Sequence, residues 1–169
     1  MTTSNPARDL LADAFGRIGE GALLVVDGLA PGELSKRVAP GANTIGWLVW
    51  HLARVQDSHV SAAAGTDQIW TSAGWQKRFG LPFDASATGY GQSPDDVNEV
   101  NADAELLAGY VSAVTEMTLA YVEHLTAADF DRIVDESWDP PVTLGVRLMS
   151  VIGDDLKHLG QAEYVRGLI

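Results

Sequence analysis

The sequence predicts an all-α protein, a four-helix bundle with a long crossover flap between its second and third helices. Three observations carry this expectation. Apolar residues recur at steps of three and four over four long segments, and proline, glycine and short polar cap residues divide those segments. No stretch shows the strict alternation of a half-buried strand, and no internal repeat stands out. With 169 residues, 46% of them hydrophobic, the chain suits one domain over 1–169 with a substantial core.

The first helix starts at Asn5-Pro6, carries Leu11, Ala14, Ile18, Ala22, Val25 and Leu29 on its inner face, and ends near Ala30-Pro31-Gly32. After Pro40-Gly41, Asn43 or Thr44 caps a second helix whose inward stripe is Leu48, His51 and Val55 with Ile45 alongside. Residues 65–93 hold five glycines together with Trp70, Trp75, Phe79, Phe83 and Tyr90, too aromatic a mixture for a solvated linker. This segment is expected to be an ordered flap with a short helix, its aromatics either covering the open side of a small core or walling a pocket. Ser93-Pro94-Asp95-Asp96 combines a cap, a first-turn proline and dipole-complementing acids, so the third helix is placed from there. Its stripe runs Val97, Val100, Ala104, Leu107, Val111, Val114, Thr118, Tyr121, Leu125, a bundle spacing. Trp138-Asp139-Pro140-Pro141 breaks the chain, and the fourth helix runs from Thr143 or Leu144 to Gly167.

Composition excludes several classes of function. Lysine and arginine total 11 against 23 aspartates and glutamates, and the net charge of -12 repels nucleic acid and anionic membranes. The opening MTTSNPARDLLADAF lacks the basic start and apolar core of a signal peptide, and no apolar run approaches the roughly 18–20 residues of a membrane span. A soluble, cytoplasmic protein is expected. The chain has no cysteine, which removes disulfides, zinc-thiolate sites and an internal thiol nucleophile; any thiol chemistry must use a thiol from outside.

The stretch GDDLKHLGQAEYVRG sets acids and a histidine into an otherwise apolar helix. Asp154 and His158, four apart, share a face with Val151, Ala162 and Val165, and Asp155 is three residues from His158. An uncompensated buried carboxylate costs several kcal/mol, so these residues should pair, bond to another helix, or hold a metal. His51 on the second helix is the natural third member. Two imidazoles and a carboxylate suit zinc, nickel or iron and leave coordination positions free. The same spacing fits an ordinary ion pair beside a hydrogen-bonded core histidine. His59 reads as a partly exposed polar residue on the face of His51, and His124 as a dipole-complementing residue ending the third helix. Gln161 is near enough to His158 to orient its ring, and Tyr164 reads as core edge. Arg54, Arg147 and Arg166 are candidate partners for a carboxylate-bearing thiol.

WHLARVQD on the second helix and DDLKHLGQAEYVRG on the fourth, together with GWQKRFGLPFD and TGYGQS in the flap, resemble the DinB-like superfamily, in particular the branch with mycothiol-dependent maleylpyruvate isomerases and related thiol transferases. The resemblance implies a bundle holding a divalent metal through one histidine on the second helix and a pair spaced by four on the fourth. His51 matches the first ligand and His158 the last. Asp154 stands where the family commonly has histidine, or glutamate in the mycothiol-linked branch, with Asp155 as the alternative ligand. The implied metal is zinc or nickel, with iron as a further candidate. The implied chemistry is that of a metal-dependent thiol S-transferase or isomerase, activating mycothiol or a similar small thiol toward an electrophile. A non-catalytic metal-binding stress-response or interaction bundle is the alternative. A non-haem iron oxygenase, suggested by the same ligand types, ranks lower because those enzymes use another scaffold. The exposed faces of helices one and three are the expected surface of a homodimer.

Overall fold

A computed structural model describes residues 5–169; residues 1–4, where the amino-terminal stretch read above begins, lie outside the described residues. Helix α1 (Pro6–Val26) is capped by Asn5, whose side chain accepts from Arg8 N at 3.3 Å, with Pro6 in the first turn. It ends at Val26, before the expected Ala30-Pro31-Gly32, and Gly28 turns the chain at φ 72°. A single turn, α2 (Pro31–Leu34), then tucks Leu34 into the core.

Helix α3 (Ile45–Ala64) is capped by Thr44 rather than Asn43: its Oγ1 accepts from Trp47 N at 3.1 Å. Every residue from Ile45 to Asp57 is buried, so α3 is not an amphipathic surface helix with one inward stripe but the central helix of the molecule. Within the flap lie two short helices, α4 (Ile69–Ser72) and α5 (Trp75–Phe79).

The third helix departs from expectation. Ser93 and Asp96 cap each other reciprocally, but the helix they open, α6 (Pro94–Glu99), stops after one and a half turns. Asp103 then starts a new helix, α7 (Ala104–Glu123), by accepting from Leu106 N at 2.7 Å. The apolar spacing hid this break because Val97, Val100 and Ala102 all reach the same core although the chain between the helices is irregular. Tyr110, outside the expected stripe, is fully buried.

After α7, a 3-10 turn (Ala127–Asp131) leads into a two-stranded antiparallel hairpin, β1 (Ile133–Asp135) and β2 (Val142–Thr143), which sequence reading did not anticipate. Three- and two-residue strands are too short to show alternation. Thr143 caps α8 (Leu144–Arg166).

The four long helices make the bundle. Helix α3 packs against α7 and α8, and α1 packs against the same two, so α1 and α3 are diagonal. Phe15, Ile18, Leu48, Leu107, Leu144 and Leu148 fill the centre at no more than 1% exposure, each worth about 1.5–3 kcal/mol of burial. Among the described residues, no helix is long and apolar enough to cross a membrane.

The flap is fastened to α3 by a buried polar clasp. Asp57 accepts from Ile69 N (3.0 Å), Trp70 N (2.9 Å), the Ser61 hydroxyl (3.1 Å) and the Tyr110 hydroxyl (2.8 Å). Arg54 donates to the backbone carbonyls of Ala85 (3.3 Å) and Ala87 (3.1 Å) and to Gln68 Oε1 (2.9 Å), and lies 3.6 Å from Asp57. Arg54 therefore serves the fold, not a substrate carboxylate. Trp70, Trp75 and Phe79 pack around the Tyr110 ring at 5.2–5.7 Å, covering the open side of the core rather than walling a pocket.

Candidate metal centre

Helices α3 and α8 bring His51, Asp154 and His158 together. His51 Nε2 lies 3.8 Å from Asp154 Oδ2, His158 Nε2 lies 3.7 Å from Asp154 Oδ1, and one donor atom from each residue falls within 4.8 Å of the others. A first-row ion bonded at about 2.0–2.2 Å needs donors about 3.0–3.6 Å apart, so closing the widest pair by about 1–2 Å would let this group hold one.

Both imidazoles are set for ligation through Nε2. His51 Nδ1 lies 2.5 Å from the Thr88 carbonyl and His158 Nδ1 lies 3.0 Å from Gln161 Oε1. The Thr88 carbonyl accepts only, so His51 Nδ1 carries the hydrogen and its Nε2 keeps its lone pair; Gln161, with its amide oxygen turned to His158, sets that ring the same way. Burial is the main force holding His51 below the usual histidine range, with His158 acting the same way; the Thr88 bond and Asp154 oppose it. The neutral ring that results is the form a metal takes. Trp47 stacks on the His51 ring at 4.5 Å and 13°, itself fixed by a 2.7 Å bond from its Nε1 to Gln92 Oε1.

The adjacent aspartates divide. Asp154 has a side chain 38% exposed beside the histidines, whereas Asp155 is fully buried, and neither of its oxygens has a hydrogen-bond partner among the described residues. Burial first, and the neighbouring Asp154 second, push the Asp155 carboxyl well above the usual carboxylate range. A turn of about 100° per residue separates the two, and Asp155 is not part of the three-donor group.

The group opens into a cleft of about 410 Å³ lined by His51, Asp154, His59, Arg147, Lys157 and Tyr90, among others. His59, read as a partly exposed polar residue, forms part of this wall. Of the flap aromatics, Tyr90 alone lines the cleft. His124 ends α7 far from the group on an exposed surface, as read. Arg166 donates to the carbonyls of Leu24, Val25 and Asp27 at the end of α1, and Tyr164 is exposed rather than at the core edge.

Sequence reading missed Thr88, Trp47 and Gly89. A backbone carbonyl and a stacking ring leave no signature in side-chain spacing, but Gly89 left one as a glycine in TGYGQS. It has φ 99°, and a Cβ there would sit 2.6 Å from His51 Nδ1 and 3.1 Å from the rings of Trp47 and Trp50. Only glycine lets the flap backbone pass this close. Gly89→Ala is expected to push the Thr88 carbonyl off His51 and weaken metal binding by about 10–100-fold, the usual cost of losing such a support. Competition with a chromophoric chelator measures it, and unchanged affinity would show that the flap does not set the His51 ring.

No curated protein gives a significant match to this chain. A solved structure described as a conserved protein of locus from Enterococcus faecalis is similar over 98% of both chains, with 29% identity and a TM-score of 0.90. The family model described as DinB superfamily matches residues 15–162, which takes in α3, the flap and α8 as far as Ala162, and with them His51, Asp154 and His158. The chain belongs to the DinB superfamily.

Proposed function

We propose that His51, Asp154 and His158 hold one divalent first-row ion, zinc or nickel before iron, and that the site activates an external low-molecular-weight thiol for transfer to, or isomerisation of, a small electrophile. The observation that carries this reading is the convergence of two Nε2 atoms and one carboxylate beside a cleft that His51 and Asp154 line, with both Nδ1 positions already engaged. Three protein donors leave coordination positions on the cleft side. When bound, the ion supplies positive charge that favours thiolate over thiol at neutral pH. The chain itself offers no competing thiol, because it has no cysteine. Asp154 balances part of the ionic charge, and the neutral histidines add none. Lowering a thiol pKa from about 8.5 to below 7 turns a thiolate fraction of a few per cent at pH 7 into a majority. Mycothiol is the thiol suggested by the resemblance; bacillithiol and glutathione have the same reacting group.

The test is a screen of these three thiols against monochlorobimane, comparing metal-loaded protein with His51→Ala. At least one thiol is expected to react faster with the loaded protein and not with the variant. No rate difference across several electrophiles would favour a non-catalytic metal-binding bundle.

A further inference from the structure

We infer that Arg147, His59 and Lys157 form an anion-binding subsite in the cleft beside His51 and Asp154, taking the carboxylate of a small co-substrate whose reacting end faces the three-donor group. The inference deepens the proposed function and rests on it for what stands at that reacting end.

The cleft is unlike the rest of the molecule. On a chain with a net charge of -12, its lining includes two cations, Arg147 and Lys157, and two acids are near: Asp154, which belongs to the three-donor group, and Asp135, which pairs with Arg147. With two neutral histidines, Asp154 and a divalent ion carry a net charge of about +1, and Lys157 adds to it. An anion entering the cleft is therefore attracted by the ion and by Lys157, while Arg147, its charge balanced by Asp135, offers hydrogen bonds, and a cation is repelled.

Arg147 is held in place from behind. Its Nη2 donates to Asp135 Oδ2 at 2.6 Å, and Asp135 is fixed in turn by the Ser137 backbone N (3.0 Å) and hydroxyl (2.6 Å). Those bonds, Ser137 first, hold the Asp135 carboxyl below its usual range, so it stays ionised. The small β1–β2 hairpin thus has a use: β1 presents Asp135 to the first turns of α8, where Arg147 lies. A guanidinium fixed before the ligand arrives loses little freedom on binding a planar carboxylate.

His59 is oriented by the same arginine. Arg147 Nη1 lies 3.4 Å from His59 Nδ1, and because a guanidinium only donates, Nδ1 accepts and Nε2 carries the hydrogen. His59 is thereby a neutral donor. It lies eight residues, about 12 Å along α3, beyond His51, so His59, Arg147 and Lys157 line one cleft with His51 and Asp154, and the length of the ligand together with the reach of the Arg147 and Lys157 side chains closes that distance. Lys157, exposed beside His158, adds a mobile ammonium at the rim.

The probes are 3-mercaptopropionate and its amide, alike except for the charge. Binding to zinc-loaded protein is read by saturation-transfer NMR, and ligation of sulfur by the visible charge-transfer band of cobalt-loaded protein. The acid is expected to bind about tenfold or more tighter than the amide. That preference is expected to fall to within about twofold in Arg147→Gln and by a few fold in Lys157→Gln. Lys157 is exposed, so the second variant decides the matter if the first does not fold. Equal binding of acid and amide to the unaltered protein overturns the subsite, as does binding of neither. So does a preference undiminished in both variants, which would seat the carboxylate on the metal. Acid-selective binding lost in a variant, but without any charge-transfer band, supports the subsite while refuting thiol activation.

Discussion

Replacing His158 with alanine is expected to abolish stoichiometric metal binding, while the same change at His124 leaves it intact. Protein purified without a chelator or a polyhistidine tag is expected to carry about one divalent ion per chain. Both histidines lie on the bundle, but only His158 has its Nε2 close to Asp154 and, within 4.8 Å, to a donor of His51. Removing one of three protein donors should cost more than the 10–100-fold associated with losing an outer partner such as Gln161. Metal-dependent stabilisation gives a second readout, about 4 kcal/mol at a thousandfold excess over Kd, present in the unaltered protein and in His124→Ala and lost in His158→Ala. Elemental analysis and melting with and without zinc check both. Equal behaviour of the two variants would refute the ligand assignment, and an unaltered protein that takes up no zinc, nickel or iron would remove the metal altogether.

Asp57→Ala is expected to be the most destabilising single change outside the apolar core, at about 3–5 kcal/mol. Asp57 and Arg54 both have fully buried side chains, and removing the acid leaves a guanidinium charge uncompensated in the core. It also frees two backbone N–H groups at the start of α4 and the Tyr110 hydroxyl. Asp57→Asn keeps the shape and part of the bonding and should fall between the two. Urea denaturation measures the loss, and a cost below about 1 kcal/mol would show the clasp to be dispensable. A second consequence follows from the path of the chain: Arg54 holds the carbonyls of Ala85 and Ala87, next to Thr88, whose carbonyl orients His51. A loosened clasp should weaken metal binding as well as folding.

The four long helices were legible in the sequence because their caps and apolar spacing are local, and local preference agreed there with the final packing. Asn5, Thr143 and the Ser93/Asp96 pair act as caps where the residues suggested it. The break between α6 and α7 was not legible, since Asp103 competes as a cap within a stripe that continues on both sides. His51, Asp154 and His158 could be named from residue type and spacing, because a helix places residues four apart on one face. Which aspartate turns toward the histidines depends on the rotation of α8 against α3, and the sequence left Asp154 and Asp155 both open. Neither the Thr88 carbonyl on His51 nor Asp135 behind Arg147 was readable at all. Those contacts join residues 37 and 12 positions apart in the chain, and their register is set by how the flap and the hairpin dock. The sequence by itself thus determined the bundle and the residue types of the candidate site, which are encoded over one or two helical turns. Tertiary structure alone decided the hydrogen-bond partner of the His51 imidazole, which aspartate faces the histidines and the basic wall of the cleft, because each depends on a long-range contact between elements that local periodicity does not specify.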